Sequence, residues 1–86
     1  MNHPTKVQGL EIRAVGDEVL VHDEPRGKVH VLNATAGAIL EWCDGTRSTS
    51  DIAAGMAERY DIDAARAAHD AELILAEFRR LELLAA

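Results

Sequence analysis

Residues 29–45, Val-His-Val-Leu-Asn-Ala-Thr-Ala-Gly-Ala-Ile-Leu-Glu-Trp-Cys-Asp-Gly, decide the fold. They read as a short strand that turns directly into a helix, and the helix stops at Asp44-Gly45. Val29, Val31 and Leu32 favour an extended chain. Asn33 or Thr35 supplies the side-chain oxygen that caps the helix start. Ala36, Ile39, Leu40 and Cys43 then recur at helical spacing. Gly45 is free to take the left-handed conformation that ends a helix.

Upstream, Leu10 to Val15 alternates in the two-residue period of a half-buried strand. Gly16-Asp17 is a tight turn, and Glu18 to Asp23 is a second strand. Glu24-Pro25-Arg26-Gly27 turns the chain into a third strand, Lys28 to Leu32. Adjacency makes the three an antiparallel meander. Residues 1–9 are polar and read as a flexible N-terminus, which leaves 10–86 as the folded domain.

Downstream, Thr49 or Ser50 caps a second helix that runs to Tyr60. Its apolar face is Ile52, Ala53, Met56 and Tyr60. Asp61-Ile62-Asp63 begins a third helix that runs to Leu81. Its main stripe is Ala67, Ala71, Ile74, Phe78 and Leu81, with Leu84 closing the core behind it. The fold class is therefore α+β and winged-helix-like: a three-stranded antiparallel β-sheet followed by a three-helix bundle.

Eighty-six residues make one domain with a modest core. The chain carries 15 acidic against 9 basic side chains, a net charge of −6, which repels phosphate backbones and anionic membranes. The single Cys43 excludes an intrachain disulfide and suits a reducing cytoplasm. The sequence contains no apolar run of about 20 residues, hence no membrane span. Its N-terminus lacks the apolar stretch of a signal peptide.

Apolar surface is in surplus at two places. On the last helix Leu73, Leu75 and Ala76 flank Ile74, so the apolar arc is wide. On the sheet, Val29 and Val31 face one way and His30 and Leu32 the other, and Val19 and Val21 oppose Leu20 and His22. An antiparallel sheet with one wet face alternates more sharply than this. Either both features border a groove that awaits a peptide, or a small protein uses all it has as core. The third strand favours the groove. It lies on a sheet edge, its interior lacks charge and proline, and such an edge suits β-strand addition by an extended peptide.

Catalytic machinery is not legible. Cys43 has no Cys-x-x-Cys partner or local histidine and reads as a small buried hydrophobe. One strand register would bring His22 and His30 together, but two histidines alone make a poor metal site. Glu72, Glu77 and Glu82 read as a solvated face beside Arg66, Arg79 and Arg80. Gly37 and Gly55 sit inside helices and permit close packing.

Leu32-Asn33-Ala34-Thr35-Ala36 followed by Leu40-Glu41-Trp42-Cys43-Asp44-Gly45 resembles the signature of the PqqD-like family, the RiPP recognition elements. The resemblance extends over residues 10–84, through the Ile52-Ala53 helix start to Phe78, Leu81 and Leu84. Family members usually have a glycine before the terminal apolar pair, where this chain has Glu82. The resemblance implies a non-catalytic, cofactor-free, peptide-binding chaperone. Such a module captures the leader of a ribosomally made precursor and presents it to a modifying enzyme, often a radical S-adenosylmethionine enzyme. It also implies that the leader lies along the third strand and against the last helix. Carried onto this chain, that implicates Val29, His30, Val31 and Leu32 on the strand, with Ala65, Ala68, Glu72, Leu73 and Ala76 on the helix.

The rival readings are a winged-helix DNA-binding protein, a scaffold or docking subunit, and a small enzyme. The exposed edge also allows a homodimer. The last helix begins Asp63-Ala-Ala-Arg-Ala-Ala-His-Asp and offers few base-reading donors. We therefore expect no shift of duplex DNA in a gel assay at about 0.1 M salt, where screening is only partial. Salt-sensitive micromolar binding in that assay would revive the DNA reading.

Overall fold

The computed structural model describes residues 3–85 and follows the expected order of elements. Strands β1 (Leu10–Val15), β2 (Glu18–Asp23) and β3 (Lys28–Asn33) form one antiparallel sheet with β2 in the centre. Helices α1 (Ala34–Trp42), α2 (Thr49–Tyr60) and α3 (Ala64–Arg80) follow. The register sets Ile12 against Val21, Val21 against His30, and Val19 against Leu32. Val21, Asp23 and Leu32 thus bury on one face, and all three helices complete the core on that side. The Asp23 side chain is fully buried, and its carboxyl lies 3.2 Å from the Arg26 guanidinium across the β2–β3 turn.

Each helix start is built from a side-chain oxygen. Asn33, not Thr35, caps α1: its Oδ1 accepts from the Ala36 amide at 2.8 Å. The cap of α2 is Ser48, one or two residues before the expected Thr49 or Ser50. Asp51 reaches back to the Ser48 amide, so the box closes only at that offset. Asp63 caps α3 through the Arg66 amide. The expected start of α3 at Asp61 fails because Asp61 takes a left-handed conformation, φ 54°, that ends α2. Helix α1 likewise ends before Gly45: Cys43 terminates it, its amide donating to Leu40. Gly45, φ 87°, turns the chain closely past Thr5 instead.

The core packs tightly where residues are small. A Cβ on Gly37 would lie 2.4 Å from Val19 Cγ2, so only glycine lets α1 settle on β2. Cys43 is fully buried and its thiol donates to the Ile39 carbonyl at 3.3 Å. Burial pushes that thiol up to about 11, as expected for a packing group rather than a nucleophile.

Two expectations need correction. On α3 the fully buried residues are Ala67, Ala71, Leu75 and Phe78, while Ile74 is only half-buried. The helix is rotated so that Leu75, read as a flank, joins the core. Leu83, not Leu84, closes it. The segment expected to be flexible also differs where it is described. Lys6 donates to Cys43, Val7 to Leu83, and Ala85 to Thr5, so residues 4–7 tie the end of α1 to the C-terminal tail. Met1 and Asn2 lie outside the described residues.

Helix α3 ends in a Schellman arrangement: Leu83 donates to Phe78 and Glu82 to Arg79. Glu82 therefore holds a left-handed φ of 62°, which glycine accepts and a side chain resists. Glu82→Gly should raise stability by about 1 kcal/mol, less whatever freedom the glycine gains in the unfolded chain. Urea denaturation of the two proteins checks it, with an unchanged or lower midpoint counting against the strain.

Candidate functional site

Among the described residues β3 pairs only with β2, so its other edge carries unpaired backbone groups. Val29 and Val31 stand on the sheet face away from the helices and are 63% and 57% exposed. Next to this edge runs α3, and a groove of about 340 Å³ opens between them. Val31, Leu32, Asn33 and Ala36 form one wall, and Leu73, Ile74, Glu77, Phe78 and Leu81 form the other.

Helical geometry explains which residues of α3 face it. Successive residues rotate by about 100°, so Leu73, Glu77, Leu81 and Ile74 fall along one flank of the buried Ala71–Phe78 stripe. Ala68 and Glu72 fall on the opposite flank. There they line a second groove of about 300 Å³ with Ala53, Ala54 and Ala57 of α2. Ala65 and Ala76 are exposed and line neither. The nine residues singled out from the sequence thus divide. Val31, Leu32 and Leu73 meet in one groove, and the other helix positions point elsewhere. Val29 sits on the outer sheet face with Glu11, Arg13, Leu20 and His22. His30 faces the core side, opposite Val21, and its Nε2 is buried with no hydrogen-bond partner among the described residues.

The register also separates the two strand histidines. His22 is opposite Val29 and lies 3.8 Å from Glu11, while His30 points to the other face. Among the described residues no group of three or more His, Cys, Asp or Glu side chains is placed to hold a metal ion.

Sequence reading missed Glu77 as a groove residue. Its position four residues after Leu73 put it on the same flank, but only once the rotation of α3 was known. Ile74, Phe78 and Leu81, expected wholly in the core, each also line the groove. The Glu77 carboxylate accepts hydrogen bonds from Arg80, one of them at 3.0 Å. The guanidinium holds it below the usual carboxylate range, so Glu77 brings to the groove a carboxylate paired with Arg80.

The family model described as coenzyme PQQ synthesis protein D (PqqD) matches residues 18–84. Three solved structures share the fold. TbiB1 in complex with the TbiA(beta) leader peptide is 19% identical, with 93% of each chain covered and a TM-score of 0.79. Lasso peptide synthetase B1 complexed with the leader peptide is 15% identical, with 98% of this chain and 99% of that one covered and a TM-score of 0.81. The third is the PqqD truncation of Methylobacterium extorquens PqqCD, described as a functional, stand-alone RiPP recognition element. It is 24% identical, with 96% of this chain and 88% of that one covered and a TM-score of 0.78. At these identities the likeness is one of fold. No curated protein matches the chain in sequence.

The groove and the core should separate under mutation. Leu73 is 58% exposed, so Leu73→Ala should change stability by less than about 0.5 kcal/mol. Phe78 is 1% exposed, and Phe78→Ala should cost roughly 3–5 kcal/mol. Thermal melts of both variants test this rotation of α3, which is wrong if the two fall equally.

Proposed function

The chain belongs to the family of coenzyme PQQ synthesis protein D, and from that membership we propose that it is a peptide-recognition module. It captures the leader of a ribosomally made precursor by adding that leader as a fourth strand on β3. The observation that carries this reading is the juxtaposition of an unpaired β3 edge with an apolar groove against α3. Backbone bonds along the edge give affinity, and pockets for alternate side chains give specificity. Both solved complexes of the same fold hold leader peptides, which supports the reading.

The module itself is non-catalytic and takes no cofactor. It hands the bound precursor to a separate modifying enzyme, of which a radical S-adenosylmethionine enzyme is the partner we favour, in the cytoplasm. Two observations agree with these roles. The lone thiol is buried, and among the described residues no helix is long and apolar enough to cross a membrane. Residues 10–86 form the recognition domain. Its peptide contacts centre on Val31, Leu32 and Leu73, with Val29 and His30 beside them on β3. In the absence of peptide the same open edge allows pairing with a second copy through β3, since Val29 and Val31 are exposed there.

Fluorescence titration of a labelled synthetic precursor leader tests the proposal. Leu73→Ala removes an apolar contact and should weaken binding by about 1–2 kcal/mol, roughly 5- to 30-fold. Val31→Pro takes a backbone donor from β3 and should weaken it strongly, provided circular dichroism shows the fold intact. Ala76→Ser, on the solvent side of α3, should leave binding unchanged. Equal affinity across all four proteins would overturn strand addition at this edge.

A further inference from the structure

Resting on the reading of the groove as a peptide site, we infer that Glu77 selects a peptide with a lysine or arginine among its groove-facing side chains. Three of the four α3 residues that line the groove are apolar, as is the C-cap Leu81, and among the described residues Glu77 is its one charged lining group. From Leu73 to Leu81 the helix rises about 12 Å, the length of three to four extended residues. Alternate side chains of a strand share a face, so about two of them enter the groove at once. Phe78 and Leu81 lie beyond Glu77 along the helix, so one meets Leu73 and Ile74, which demand an apolar group. Its same-face neighbour, about 7 Å along, falls a helical turn away, at the level of Glu77.

Chemistry decides what that neighbour is. The Glu77 oxygens accept from Arg80, but a carboxylate has about four acceptor sites and Arg80 takes one on each oxygen. The remaining sites accept a second cation or N–H donor. An acidic side chain there would face the fixed charge of Glu77. A neutral apolar one would strip water from that charge and return nothing. Arg80 is outside the groove lining, so it steadies Glu77 from the rim rather than competing for the peptide.

The test uses the full chain and fluorescein-labelled synthetic copies of the leader used in that titration, with Lys, Gln or Glu placed in turn at each position. Wild type should show one position at which Lys binds roughly tenfold tighter than Glu, in a salt-sensitive way. Glu77→Gln should reduce that preference to about twofold or less, as loss of one exposed charge pair does, while Arg80→Gln should keep it. The inference is overturned if no position separates Lys from Glu or if the preference survives Glu77→Gln. A preference for Glu that disappears with Arg80→Gln would overturn it too. Leu73→Ala distinguishes the two levels. If it weakens binding while Glu77→Gln leaves the preference intact, only the cation inference fails. If Leu73→Ala has no effect, the peptide reading of the groove fails and this inference falls with it.

Discussion

The junction at Asn33 constrains everything around it. Leu32 is buried beneath the sheet and Asn33 caps α1 with its own side chain, so strand gives way to helix without a loop. A slip of β3 by one residue would expose Leu32 and bury Val31. With β3 held in this register, α1 is pinned against β2 through Gly37, where no side chain larger than hydrogen fits. The helices are thereby kept to one face of the sheet, and the β3 edge is left open beside α3.

The open edge gains meaning only from the rotation of α3. One helix serves three surfaces. Its buried stripe ends at Phe78, one flank meets β3, and the other meets α2. Phe78 belongs to two of these at once, fully buried yet forming the floor of the groove. The floor of the site is therefore part of the core itself, while Leu73 and Glu77 beside it are exposed. The strained Glu82 and the strap of residues 4–7 hold the far end of the same helix. They fix its C-terminal turn, next to Leu81 in the groove wall.

Much of this was legible in the chain. Period-two alternation located the first strand, turn residues bounded the other two, and period 3.6 located the helices. The residues of Leu32-Asn33 and Cys43-Asp44-Gly45 carried the family resemblance that the match over residues 18–84 bears out. Caps were read to within one or two residues. Ser48 was passed over because the reciprocal Asp51 bond, which singles it out from Thr49 and Ser50, is a three-dimensional fact.

The sequence by itself determined the order and type of elements, the edge position of β3, the burial of Cys43 and the net negative charge. These follow from local periodicity, composition and net charge. Only the tertiary structure decided which of Leu73, Ile74 and Leu75 faces the core, and so placed Glu77 in the groove and Ala65 and Ala76 outside it. It alone decided that His22 and His30 lie on opposite faces. The reason is the same in each case. A wide apolar arc on a helix and two apolar faces on a sheet admit several rotations and registers of similar local merit. Close packing against other elements, at Phe78, Leu75 and Gly37, selects one of them.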